Sequence, residues 1–117
     1  MNDTYGHLEG DALLIAVADT LRTSVRSSDI VGRIGGDEFV VYLSNVTDRQ
    51  NAMAVAEKLC QVIRELSTMK KEWSNISASI GISFADHPDI KMEELYISAD
   101  KAMYSAKGNG RDQYQTL

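Results

Sequence analysis

The chain has 117 residues, 44% of them hydrophobic, and its 17 acidic against 12 basic side chains leave a net charge of -5 at neutral pH. That length supports a single domain over residues 1–117 with one core, and the acidic balance excludes the broad basic face that nucleic-acid binding needs. The longest apolar run, Ala12 to Ala18, is far too short to span a bilayer, so no membrane segment is expected here; the lone Cys60 excludes an intrachain disulfide framework and suits a reducing cytoplasm.

In chain order, Asp11 is placed to cap a helix whose apolar stripe is Leu14, Val17, Ala18, Leu21 and Val25. Ile30–Ile34 and Phe39–Leu43 are β-prone and separated by four turn-type residues, which predicts a hairpin. Thr47-Asp48-Arg49-Gln50 has the form of a capping box, behind which Ala52, Ala56, Leu59, Cys60, Ile63 and Leu66 line one face of a second helix. Trp73 reads as packing a loop edge. Ile76, Ala78, Ile80, Ile82 and Phe84 alternate with serines and Gly81, the pattern of a half-buried strand, and a loop with the sole proline, Pro88, follows. A third helix is expected from about Met92 to near Gly108, with Leu95, Ala99, Ala102, Met103 and Ala106 inward, and then an edge strand at Gln113–Gln115. The order α-β-β-α-β-α-β predicts an α+β fold, a largely antiparallel sheet with helices packed on its faces.

The segment Arg33-Ile34-Gly35-Gly36-Asp37-Glu38-Phe39-Val40-Val41 carries the chemistry. Two glycines let a backbone approach a bulky anion and adopt positive φ, while Asp37 and Glu38 offer hard oxygen ligands. Magnesium takes one or two carboxylates and leaves its other positions to water and phosphate, so the hairpin tip is a candidate metal and phosphate site.

Four separated motifs make the chain resemble the GGDEF family of bacterial diguanylate cyclases: the Gly35–Phe39 pentapeptide; Asn2-Asp3-Thr4-Tyr5-Gly6-His7 followed by Gly10-Asp11; Arg26-Ser27-Ser28-Asp29 just ahead of the hairpin; and Ala99–Lys107 followed by Gly110-Arg111. The resemblance implies a palm-like fold akin to nucleotidyl cyclases and a reaction joining two GTP molecules into cyclic di-GMP with release of pyrophosphate. It implies that Asp37 and Glu38 bind Mg²⁺ (or Mn²⁺) and are catalytic, and that Gly35 and Gly36 admit the phosphates. Asn2 and Asp11 would read guanine, Lys107 and Arg111 would contact phosphate, and Arg26 with Asp29 would form an inhibitory site for the product. Cations at a helix C-terminus also offset its dipole, so Lys107 and Arg111 have a structural reading too. Turnover in the family needs two domains face to face, which implies a homodimer.

Family members place a helix and a strand bearing Asp-x-Asp-x-Phe-Lys before the loop at which these 117 residues begin. The expected fold therefore lacks the family's first helix and strand, with one metal-binding aspartate and one phosphate-contacting lysine. Activity of these residues by themselves is expected to be impaired. The sheet is expected either to close by an inward shift of neighbouring strands or to recruit a strand from a second copy. Two alternatives accompany this reading: a non-catalytic module binding GTP or cyclic di-GMP through Arg26 and Asp29, and a structural domain without ligand.

Overall fold

The computed structural model describes residues 4–35, 38–44 and 46–116, with side chains from residue 10 onward. Asn2, Gly36 and Asp37 lie outside the described residues. Three helices, α1 (Thr4–Ser24), α2 (Arg49–Leu66) and α3 (Met92–Gly108), alternate with strands β1 (Ile30–Gly35), β2 (Glu38–Tyr42), β3 (Ser79–Ile82) and β4 (Gln113–Thr116), in the expected order. A single 3-10 turn at Lys71–Trp73 follows α2.

Helix α1 already runs from Thr4, so Asp11 stands inside it and is not its N-cap. At its other end the hydroxyls of Thr23 and Ser24 donate to the Thr20 carbonyl, a local competition that favours an end to the helix there and leaves Val25 outside. Helix α2 is capped by Asp48, not by Thr47 as the capping-box pattern suggests: the Asp48 carboxylate accepts from the Asn51 N–H at 3.0 Å. Its buried face is the predicted one, Ala52, Ala56, Leu59, Cys60, Ile63 and Leu66. Ile63 and Leu66 form the core with Trp73, and Leu13, Ala16, Val17, Ile76 and Ala78 pack against them. Trp73 is therefore a core residue and not a loop-edge filler; the 3-10 turn folds it back under α2 and the Lys70 ammonium lies 5.0 Å over its ring.

Strand β3 is shorter than the alternation predicts, four residues against nine, and all four are half-buried. Both of its faces are partly covered, because α3 lies directly across it: a Cβ at Gly81 would overlap the Ala99 carbonyl oxygen and the Met103 backbone. Beyond it, the Ser83 hydroxyl donates to the Leu95 carbonyl of α3 and Phe84 carries the Arg49 guanidinium 4.2 Å over its ring.

The strands form two pairs. β1 and β2 are antiparallel, whereas β3 and β4 are parallel because α3 returns the chain to the same end, as a crossover must. The antiparallel expectation thus holds for the hairpin alone. Among the described residues the two pairs are not hydrogen-bonded to each other. Among the described residues the expected inward shift is not seen: the hairpin packs on α1, and β3–β4 on α3 and α2. Among the described residues each of the four strands is paired along one edge only. No described helix is long and apolar enough to cross a membrane.

Cys60 has no exposed surface, and burial with the nearby Glu57 carboxylate pushes its thiol up to about 11. Iodoacetamide at pH 8 is expected to leave the native chain unlabelled and to alkylate it fully in urea; rapid labelling of the native chain would show that the α2 face opens readily.

Candidate functional site

The hairpin strands extend closer to the tip than the sequence suggests. Gly35 is the last residue of β1, and Glu38, read as part of the turn, is the first of β2 and pairs with it. A register irregularity between Arg33 and Gly35 re-aims this end of the ladder, a common device beside functional sites. Gly35 has no positive φ, and a Cβ built on it meets nothing within 4 Å. Among the described residues nothing crowds Gly35, and its partner across the ladder is Glu38.

Glu38 is half-buried, and the Tyr96 hydroxyl of α3 donates to its Oε1 at 3.4 Å. The carboxylate in turn holds the Tyr96 phenol above its ordinary range. Tyr96 was missed by sequence reasoning, because an aromatic on the outer face of a predicted helix gives no sign that it meets a residue 58 positions away. Among the described residues no cluster of three or more metal-ligating side chains occurs. A protein-built cage is thus not present there, whereas a hard carboxylate with one oxygen held by a neutral hydroxyl fits a magnesium ion that takes most of its ligands from phosphate and water.

Asp11 is exposed on the third turn of α1. Lys107 and Arg111 mark the other end of α3 from Tyr96, with Lys107 eleven positions, about 16 Å of helix, beyond Tyr96. Neither forms an ion pair with a described residue, Glu38 included. A ligand that met both ends would have to be extended on that scale, as a nucleoside triphosphate is. Arg111 owes its placement to a glycine-based helix end. The Gly110 N–H donates to Lys107 and the Arg111 N–H to Ala106 at 2.9 Å, and Gly110 takes φ 114°, the left-handed stop that a side chain resists.

Arg26 and Asp29 are brought together, though in an unexpected way. The Asp29 side chain is only 2% exposed and accepts from the backbone N–H groups of Arg26 (2.9 Å) and Ser44 (3.0 Å) and from the Arg26 guanidinium (3.3 Å). Arg26 also donates to the Ser44 carbonyl. Burial alone would raise the Asp29 carboxyl; the hydrogen bonds outweigh it and hold it below the ordinary aspartate value. Asp29 thus ties the end of α1 to the end of β2 and offers little free edge, while Arg26, 57% exposed, faces an open cavity of about 470 Å³. Asn51 and Lys58 of α2 share that cavity's wall. Sequence reasoning missed both, since two polar positions on the outer face of an amphipathic helix read as solvated surface.

The family described as "Diguanylate cyclase, GGDEF domain" matches residues 1–113. Over 114 residues the chain is 44% identical to the bifunctional diguanylate cyclase/cyclic di-GMP phosphodiesterase MucR of Pseudomonas aeruginosa, a match that covers 97% of this chain and 16% of that protein. It is 40% identical over 116 residues to diguanylate cyclase A of Treponema denticola, covering 97% of this chain and 30% of the relative. The fold is similar, with a TM-score of 0.79 and 30% identity, to the crystal structure of the GGDEF domain of YfiN (TpbB) from Pseudomonas aeruginosa, over 96% of this chain and 70% of that one. The chain therefore spans less than a third of the length of either curated relative.

Proposed function

The chain belongs to the GGDEF diguanylate cyclase family, and from that premise we propose that it presents one GTP in a pair of facing domains that make cyclic di-GMP. The observation that carries the reading is the unencumbered Gly35 set opposite the Glu38 carboxylate at the end of the β1–β2 ladder. In each of two equivalent steps the 3′-hydroxyl of one GTP attacks the α-phosphate of the other, loses its proton, and pyrophosphate leaves; two copies of the domain in the cytoplasm would hold the two substrates antiparallel. Asp37 and Glu38 would hold Mg²⁺ or Mn²⁺, which when bound neutralises charge on the phosphates. Glu38 is kept aimed by the Gly35 pairing and by the Tyr96 hydroxyl. Asn2 and Asp11 would read the guanine edge, since an amide both donates and accepts and a carboxylate accepts from the donors that adenine lacks. Gly35 and Gly36 would admit the triphosphate, and Lys107 and Arg111 would neutralise its far end.

Among the described residues β2 and β3 are not hydrogen-bonded to each other, and the Tyr96–Glu38 hydrogen bond, at 3.4 Å, is a weak tie between the hairpin and α3. Pyrophosphate release from GTP and Mg²⁺ by this chain alone is expected near background, and at least tenfold higher in a chain extended at its N-terminus by a pairing strand. Glu38→Gln in the extended chain should lower turnover by about a hundredfold. Robust cyclic dinucleotide formation by the 117 residues alone would overturn the impairment; an extended chain that stays silent, or is indifferent to Glu38→Gln, would overturn the catalytic reading.

One observation favours a second reading. The cavity beside Arg26, with the Lys58 ammonium and the Asn51 amide on its wall, is of a size and polarity to take a purine dinucleotide. It supports a product-binding role for this face, whether or not the chain turns over.

A further inference from the structure

Between α3 and β4 the backbone does something costly. Gly110, Arg111 and Asp112 are consecutive residues with positive φ (114°, 64° and 51°), and among the described residues Arg111 and Asp112 are the only side-chain-bearing ones in that region. Aspartate tolerates the left-handed conformation, but a long residue such as arginine seldom adopts it, and two in succession persist only where their surroundings hold them. Three contacts do so. The Arg111 N–H is bound to Ala106, the Gln113 side-chain amide donates to the carbonyls of Asn109 (2.9 Å) and Arg111 (3.1 Å), and Arg64 Nε donates to both carboxylate oxygens of Asp112 at 2.9 and 2.8 Å.

The first two contacts are local. The third reaches across 48 residues, from the last turn of α2, and Arg64 is itself flanked by Glu57 at 3.6 Å on the same helix. It is also the contact that fixes the last of the three left-handed residues, where the chain turns into β4. The direction of the Arg111 Cα–Cβ bond is set by the backbone on either side of it, so whatever pins Asp112 also fixes the base from which the Arg111 side chain extends and the range its guanidinium can reach.

We propose that the Arg64–Asp112 ion pair is a positioning device for Arg111, holding a strained turn so that its guanidinium is aimed at the phosphates of the bound nucleotide. This rests on the proposed GTP site, and it adds two residues, one on α2, to the machinery that builds it. The pair is part-exposed, with 44% and 37% of the two side chains accessible, so its strength depends on geometry and falls with salt.

The test is calorimetric titration of the chain with GTP and Mg²⁺ at low and at 0.5 M salt, with thermal melting of each variant followed by circular dichroism. Arg111→Ala is expected to weaken GTP about tenfold, the effect of losing one charge-assisted contact. Arg64→Ala should weaken it nearly as much, Arg64→Lys by less, and the double variant Arg64→Ala with Arg111→Ala no more than Arg111→Ala alone, because the first change acts through the second residue. Asp112→Asn keeps a residue that tolerates the left-handed turn while losing the charge, and should fall between. If Arg64→Ala lowers the melting temperature but leaves GTP affinity at the parent value, or if the losses multiply in the double variant, the pair is merely structural and the inference is overturned with the GTP site intact. If Arg111→Ala binds GTP as the parent does, Arg111 is not at the phosphates and the inference fails there. If the parent chain and its N-terminally extended form bind no GTP, the proposed function itself falls and takes the positioning role with it.

Discussion

Gly81→Ala is expected to lower the melting temperature by about 10–20 °C, the largest effect of a methyl added at any glycine whose surroundings the structure describes. The added carbon would overlap the Ala99 carbonyl oxygen and the Met103 amide and lie 2.9 Å from the Met103 Cα. All three are backbone atoms of α3, so no side-chain rotation relieves the overlap; the helix and strand must separate. Ala102 and Ala106, on the same face of α3, have no exposed surface, and a separation would unpack both. Overpacking of a yielding core costs about 1–3 kcal/mol, and a rigid backbone contact belongs at or above the upper end, against a total stability of about 5–15 kcal/mol. Gly32→Ala is the control: a Cβ there meets nothing within 4 Å, and the change should fall within about 0.5 kcal/mol of the parent. Equal melting of the two variants would show that α3 is not seated on β3 in solution. Because α3 also carries Tyr96 and Lys107, any surviving Gly81→Ala protein should bind nucleotide poorly.

That glycine illustrates how far the sequence could be read. Its neighbours Ser79 and Ser83 suggested a solvent face, and period-two alternation cannot tell solvent from a helix backbone pressed against a residue without a side chain. The stripe of α2 was legible in full, because six apolar residues at helical spacing have one way to be buried together. The hairpin was legible in kind but not in extent: propensity placed Glu38 in the turn, while the ladder recruits it into β2. Asp11 looked like a helix start because capping residues and ligand-reading residues are the same types, and only the helix beginning at Thr4 separates the two. The parallel sense of β3 and β4 and the contacts Tyr96–Glu38 and Arg64–Asp112 depend on pairs far apart in the chain, and the core role of Trp73 on a turn that folds it back under α2, for which a single sequence carries no local signal. The candidate metal ligands Asp37 and Glu38 were legible as composition; Glu38 stands at the start of β2, and Asp37 lies outside the described residues.

Arg26→Ala and Asp29→Ala are expected to abolish cyclic di-GMP binding alike, yet for different physical reasons that melting curves will separate. Arg26 is largely exposed and its guanidinium faces the cavity, so its removal takes away a planar donor fork while costing the fold within about 1 kcal/mol. Asp29 is buried, and its removal strands the N–H groups of Arg26 and Ser44 in a partly buried loop, a loss of about 2–3 kcal/mol. The pH dependence follows from the depressed Asp29 carboxyl. Its folded value lies below the unfolded one of about 3.9, so its stabilisation is fully present above that pH and is lost as the pH falls through the folded value. The melting difference between the parent and Asp29→Asn should therefore be constant from pH 8 to pH 5 and shrink below pH 4. Asp37→Ala, between β1 and β2 in the sequence, should leave cyclic di-GMP affinity unchanged in calorimetry. Lys58→Ala should weaken it by about three- to tenfold, the share of one ammonium facing a phosphate across the cavity. Retained binding in Arg26→Ala would remove the cavity from consideration as a dinucleotide site. Retained binding in a folded Asp29→Ala would mean that Arg26 reaches the ligand without being held, and the buried carboxylate would then serve the α1–β2 junction alone.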